Sequence, residues 1–316
     1  MHVLSRSALS PTVRLLRPAC RHRLTTTAHA AATSNVNTRV RYIKRPKETD
    51  LFMYSVPPPK QVDSVTNIAV DEVPMQLSDL RTANHMTLQQ NGFELVQIPS
   101  GEDINWDDRE QVKEVYYPQV KSLLQGMTSA SRVEIIQHNL RKGKIEKGQA
   151  DLSKLPYQDT GHPINQPSVL THVDFTESSA PKILENYFGK EAAAELKQKP
   201  WAIIQVWRPV VGPVQDSALG FVDAATLSKD DILPVNLFLT EQYSLEVNYI
   251  VHNSSHRWFW TSQMQENEAY VFVNYDSRND GRARFTPHST IVDPDVPKDA
   301  PVRQSCETRA FVFWDE

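Results

Sequence analysis

The sequence predicts a mainly β fold, a β-sandwich or jelly roll with flanking helices, and three observations predict it. From residue 131 onward, short β-rich runs follow one another, each bounded by Pro, Gly, Asn or Asp. Helical spacing is confined to two segments ahead of residue 200. Strand and helix do not alternate, and none of the 10 glycines forms GxGxxG or GxxxxGK, so a nucleotide-binding sheet is excluded. At 316 residues and 40% hydrophobic content, the chain is long and apolar enough to bury a substantial core.

The elements are taken in chain order. Residues 1–47 hold eight Arg and two Lys and no acidic residue, so this head carries +10 while the remainder carries −14. The Arg, Ser, Thr and Ala of "MHVLSRSALSPTVRLLRPACRHRLTTTAHAAATS" give it the composition of a mitochondrial transit peptide; a basic tail on a cytoplasmic protein is the alternative. The consecutive prolines of "YSVPPPK" read as an extended linker. Residues 1–60 are therefore expected to precede the domain, and 61–316 to form a single jelly-roll domain. "FELVQI" (93–98) reads as a short strand. "DREQVKEVYYPQVKSLLQGM" (108–127) places Val112, Val115, Tyr116, Val120, Leu123 and Leu124 at helical spacing. Strands follow at 131–143, 167–176, 200–210, 234–240, 243–253, 256–263, 268–277, 282–293 and 302–314, with a second helix at 180–199.

Composition also sets limits. No run approaches the ~18 apolar residues that cross a bilayer, so no membrane association is expected. With only Cys20 and Cys306 there is no disulfide framework and no cysteine zinc site. The basic residues of the head do not continue into a basic globular face, which argues against a nucleic-acid partner.

The chemistry concentrates in "SVLTHVDFT" (168–176). Alternation along a strand sends Val169, Thr171, Val173 and Phe175 to one face, and Leu170, His172, Asp174 and Thr176 to the other. In a chain with 10 His and 38 acidic residues, a His-x-Asp pair is expected by chance, and a surface His beside a capping Asp explains it as well. Joined by a distant His, the pair would make a facial triad for Fe(II), with positions left open for a cosubstrate and O2. His252, His256 and His288 are the candidates. His252 reads as a turn residue, and His256 lies among the aromatics of "HRWFW". His288 follows the strand "EAYVFVNYDS" and precedes the final strand, where a jelly roll returns beside the first two ligands. On that last strand Arg303, Ser305, Glu307 and Arg309 share a face. A guanidinium with a neighbouring hydroxyl suits the distal carboxylate of a dicarboxylate cosubstrate, so Arg303 and Ser305 are the cosubstrate candidates; an edge-strand salt bridge is the bland alternative. Arg141, Trp207, Arg208, His256 and Trp258 are candidates for the substrate pocket, with packing an equal explanation for the two Trp.

These segments also resemble a known family. "NGFELV" (92–97), "YYPQVKSLL" (116–124), "HNLRKG" (138–143), "THVDFT" (171–176), "VWRPVVGPVQDSALGFVDAATL" (206–227), "HRWFW" (256–260), "NYDSRNDGRARFTPHSTIVDP" (274–294) and "RQSCETRAFVF" (303–313) are similar to the fungal hydroxylase/desaturase family that includes the gibberellin desaturase. The small subunit of bacterial cephamycin methoxylation is a relative. The resemblance runs from about residue 76 to 314. It implies a double-stranded β-helix using Fe(II), 2-oxoglutarate and O2 to oxidise a small secondary metabolite, by hydroxylation or desaturation. The chain departs from the family pattern at Gln205, where Asn is usual, at Val222, where Cys is usual, and at Asn274, where Lys is usual. A jelly-roll isomerase or lyase using metal without 2-oxoglutarate, and a catalytically silent binding module, are the rival readings.

Overall fold

The computed structural model describes residues 35–83, 86–142, 168–239 and 243–315. Within them two sheets face each other as a double-stranded β-helix, and helices lie on the smaller sheet. The larger sheet has nine strands. Its order is β1 (Val36–Ile43), β3 (Val70–Asp79), β11 (Trp258–Trp260), β8 (Ala218–Val222), β13 (His288–Ile291), β6 (His172–Val173), β10 (Ser244–Ile250), β9 (Ile232–Phe238) and β2 (Phe52–Tyr54). The smaller sheet runs β4 (Phe93–Gln97), β12 (Glu268–Asp276), β7 (Trp201–Pro209), β14 (Ser305–Phe313) and β5 (Arg132–Arg141).

Two of these strands correct the expected domain boundary. β1 and β2 belong to the larger sheet, so the domain begins by Val36 and not at residue 61. Tyr42, Ile43, Leu51 and Met53 are buried. The segment reads as a basic tail because Arg39 and Arg41 interrupt its apolar residues, yet both guanidinium groups reach Glu72 on β3, Arg41 at 2.7 Å. β1 also crosses to the middle of the sheet, with bridges from Arg41 to Leu170 and from Ile43 to Val251. The backbone N–H and the hydroxyl of Thr171 both donate to the Arg41 carbonyl at 2.8 Å. The transit-peptide expectation falls on residues 1–34, outside the described residues.

The helical expectations hold with local detail. α1 (Leu88–Asn91) precedes β4. α2 (Arg109–Gln111), capped by Asp108, continues through a π turn at Val112–Tyr116 into α3 (Tyr117–Thr128). The wider turn directly precedes Pro118, whose nitrogen donates no hydrogen bond. Val112, Tyr116, Val120 and Leu124 bury one stripe of this helix against the outer face of the smaller sheet. The second expected helix is two, α4 (Ser179–Phe188) and α5 (Lys190–Leu196), broken at Gly189 with φ 83°. β3 and β8 were not foreseen as strands. β6 is far shorter than the expected 167–176 run.

The interior is built by parity. On β7, Ile203, Gln205 and Trp207 face the larger sheet, while Val206 and Arg208 face the helix. Across β14 their partners Phe311, Arg309 and Glu307 also point inward, as do Phe272 and Tyr270 on β12. A bulge at Asn274 then sets Tyr275, rather than Asn274, opposite Ile203, so two successive side chains of β12 face inward. Ordinary alternation from Tyr270 and Phe272 delivers the Asn274 amide to the centre of the domain, and the slip adds Tyr275 beside it.

Candidate active site

β6 and β13 are neighbours in the larger sheet, and His288 pairs directly with His172. With Asp174 just beyond β6, the three residues bring one donor atom each to within 4.8 Å of one another. Each imidazole is aimed in the same way. His172 Nδ1 lies 2.7 Å from the Leu170 carbonyl and His288 Nδ1 lies 3.0 Å from the Thr286 carbonyl, two residues back in both cases. A carbonyl only accepts, so each Nδ1 carries the proton and each Nε2 keeps its lone pair for the cluster. Burial, then the neighbouring His172, lowers the pKa of His288 to about 4, which keeps that ring neutral at physiological pH. His172 Nε2 stands 3.5 Å from Asp174 Oδ1. Burial would raise the Asp174 carboxyl, but the Arg309 guanidinium and the two imidazoles hold it well below the ordinary range.

Above this cluster the inner face of the smaller sheet carries a concentration of charge. Arg141, Gln205, Arg303 and Glu307 line one cavity together with His172, Asp174 and His288. Arg303 donates from Nη1 to the Ser217 carbonyl at 2.7 Å, yet its buried Nε and the buried Ser305 hydroxyl have no partner. Burial, then Arg141, lowers the Arg303 pKa to about 9. Leaving such donors unsatisfied costs about 1–3 kcal/mol each, a cost that an acceptor placed beside them would remove. Arg141 and Glu307 form a buried bidentate pair. Burial opposes ionisation of Glu307, and Arg141 overcomes it and keeps the carboxyl below its usual value.

The triad residues, Arg303 and Arg141 are thus brought together, with Ser305 beside them and Trp207 packed against Arg303; Arg208, His256 and Trp258 are not. Arg208 is on the opposite face of β7, its guanidinium over the rings of Trp106 and Tyr116 and its Nη2 bound to the Glu266 carbonyl, because adjacent strand residues point apart. Trp207 is packed beneath Arg303 and against Tyr270. Trp258 donates its indole N–H to the Tyr42 hydroxyl at 2.7 Å. His256 is buried between Tyr42 and Asp231, each 3.2 Å from one of its nitrogens, so its ring is used up in a structural network. Glu307 and Asn274 were given no role by sequence reasoning. Parity alone puts both on inner faces, Glu307 with Arg309 on β14 and Asn274 with Tyr270 and Phe272 on β12, whereas nothing in the sequence announces the bulge that turns Tyr275 inward.

A jelly roll that gathers two imidazoles, one carboxylate and a buried guanidinium between its sheets belongs among the oxidoreductases of this fold. Residues 40–313 match the family described as oxidoreductase/YMDC permease-like domain, and the chain belongs to that family. It is similar to the Fe(II)/2-oxoglutarate-dependent dioxygenase nvfI of Aspergillus novofumigatus (strain IBT 16806), with 30% identity over 213 residues, 67% of this chain and 71% of that protein. The hydroxylase/desaturase efuI of Hormonema carpetanum is 28% identical over 265 residues, 79% of this chain and 87% of the relative. Among solved structures, the iron and alpha-ketoglutarate-dependent endoperoxidase NvfI superposes with a TM-score of 0.75 at 26% identity, covering 90% of this chain and 99% of that one. The resemblance to fungal hydroxylase/desaturases, and the jelly-roll fold it implied, are borne out.

Proposed function

We propose that His172, Asp174 and His288 hold Fe(II), and that Arg303 and Ser305 hold the distal carboxylate of 2-oxoglutarate. The protein is an Fe(II)/2-oxoglutarate-dependent oxidoreductase acting on a small organic molecule, in keeping with its relatives. Hydroxylation or desaturation of a secondary metabolite is the reaction those relatives suggest.

The residues fit the groups. Two imidazoles with free Nε2 atoms and one ionised carboxylate are the donor set that Fe(II) accepts while keeping open positions. The observation that carries the cosubstrate assignment is the pair of orphaned buried donors, Arg303 Nε and Ser305 Oγ, on the side of the smaller sheet that faces the triad, with Arg303 lining the same cavity. A carboxylate placed there would satisfy both through charge-assisted bonds. When bound, Fe(II) and 2-oxoglutarate supply the oxidative chemistry, in which O2 is consumed, 2-oxoglutarate loses CO2 to give succinate, and the substrate loses two electrons. The chain's own part is orientation. Leu170 and Thr286 fix the imidazole tautomers, Arg309 holds the Asp174 carboxylate ionised, and the apolar walls of Leu219, Phe221 and Phe272 keep water from the cluster.

Anaerobic titration with Fe(II) and 2-oxoglutarate tests this reading. A visible charge-transfer band that needs both components is expected. Metal binding without the band would indicate a metal lyase or isomerase, and no metal binding would indicate a silent binding module.

A further inference from the structure

Asp174 is gripped on one oxygen only. Its Oδ2 accepts from Arg309 Nη2 at 2.9 Å, from Arg309 Nε at 3.2 Å and from Asn274 Nδ2 at 3.1 Å. Its Oδ1 is the atom turned toward His172 Nε2. The two donors are themselves tied together: Gln205 Oε1 accepts from Arg309 Nε at 3.0 Å and from Asn274 Nδ2 at 2.9 Å. The four side chains come from four separate places, the end of β6 and the strands β7, β12 and β14. Gln205 and Asn274 are almost completely buried, so solvent does not replace these bonds.

We infer that Arg309, Asn274 and Gln205 form a positioning unit that presents Asp174 to the metal through Oδ1 alone. The inference rests on the assignment of Asp174 as a metal ligand. A carboxylate with both oxygens available can chelate a cation through two positions, whereas one whose second oxygen already accepts three N–H bonds supplies a single position. Single-point binding keeps a coordination position open for the cosubstrate or O2. Gln205 touches neither the carboxylate nor the metal-facing imidazoles, yet it sets the angle of both donors. Asn274 has the same inward parity as Tyr270 and Phe272 on β12, which brings the third N–H to the carboxylate, and the bulge beside it turns Tyr275 inward as well. The guanidinium also sets a positive charge 2.9 Å from the same oxygen, which adds Coulomb attraction to the two hydrogen bonds.

The test uses the full-length protein and Co(II), whose d–d spectrum reports coordination number without turnover, together with the Co(II) dissociation constant. Arg309→Gln is expected to weaken Co(II) roughly 10- to 100-fold, the range for loss of an outer partner of a metal ligand, and to alter the d–d band intensity. Gln205→Leu is expected to produce the same spectral change with a smaller loss of affinity. Arg309→Lys restores one donor and the charge and should recover part of both. If Arg309→Gln does not fold, as judged by its thermal melt, Asn274→Ala carries the test, because it removes one neutral donor and should shift the same bands. Wild-type affinity and spectrum in Arg309→Gln and Gln205→Leu, or in Asn274→Ala where that variant stands in, overturn the inference. Asp174→Ala is the control on the underlying assignment: if it binds Co(II) as the wild type does, the ligand reading itself fails, whereas its loss of Co(II) beside unchanged Arg309 and Gln205 variants sinks the positioning unit alone.

Discussion

His172 and His288 lie directly opposite each other on antiparallel neighbours, with ring centroids 4.5 Å apart, and each Nδ1 is held by the carbonyl two residues before it. This shared geometry distinguishes them from His256, whose two nitrogens are both engaged by Tyr42 and Asp231. His288→Ala should therefore lose iron after anaerobic reconstitution while His256→Ala keeps it. The His256 variant should instead lower stability by about 1–3 kcal/mol, because it leaves Tyr42 and Asp231 without a buried partner. Metal analysis and urea melts of both proteins check this, and iron retained in His288→Ala but lost in His256→Ala would reverse the assignment.

Arg303 and Ser305 are expected to act on the cosubstrate and not on the metal. Arg303→Leu should weaken 2-oxoglutarate binding by about 2–4 kcal/mol, and Ser305→Ala by about 0.5–1.5 kcal/mol. Calorimetric titration of the Mn(II)-loaded variants would measure both. Cosubstrate affinity unchanged in Arg303→Leu would move the anchor elsewhere on the inner face.

Gly92 adopts φ +86°, and a Cβ there would stand 2.3 Å from the Thr286 hydroxyl, which donates to the Gly92 carbonyl. Thr286 in turn supplies the carbonyl that aims His288. Gly92→Ala should cost about 1–3 kcal/mol through backbone strain and weaken metal binding as well. A variant with lowered stability and unchanged metal affinity would show that Thr286 yields without moving His288.

His138 is buried on the outward face of β5, with Nδ1 2.9 Å from the Tyr117 hydroxyl, and burial followed by Arg109 and Lys113 lowers its pKa to about 4. A histidine whose folded value lies below its unfolded one takes up its proton first in the unfolded chain. The stability that depends on the neutral ring is therefore complete above about pH 6.5 and is lost as pH falls toward 4. At pH 5 the loss amounts to roughly 1–2 kcal/mol relative to pH 7. Replacing the ring by His138→Gln should flatten that part of the profile, and equal pH dependence in both proteins would refute the assignment.

A chain starting at residue 61 should fail to fold, since it lacks the buried Tyr42, Ile43, Leu51 and Met53, whereas one starting at residue 35 keeps every described strand. Soluble, cooperatively melting protein from the shorter chain would contradict the role given to β1.

Much of the site was legible because strand parity is a strong constraint. His172 with Asp174, and Arg303 with Glu307, need only alternation to share a face, and His288 needs only the order of strands in a jelly roll. Legibility failed where sequence neighbours were taken for spatial ones. Arg208 follows Trp207 directly and therefore points to the helix, and the aromatic setting of His256 is the packing of a Tyr42–Trp258 core. It failed again where charge disguised a strand, as with Arg39 and Arg41 on β1, and where a bulge reset the parity count, as at Tyr275. Those three causes are different in kind: one is local geometry, one is partner choice across strands, and one is register.

The clasp of Arg41 on Thr171 sets an order of assembly. Its hydrogen bond joins positions 130 residues apart, next to His172, and the hydrogen bond from Asn274 to Asp174 spans another 100. Loop closure over such distances is entropically unfavourable until other contacts compensate, so pairings of this kind form late. β1, ahead of the other described strands in the chain, must therefore wait for the later strands before it can dock, and the cluster of His172, Asp174 and His288 acquires its geometry only as the last closures are made. Iron can thus reward a finished fold but has no preformed local site on which to nucleate one.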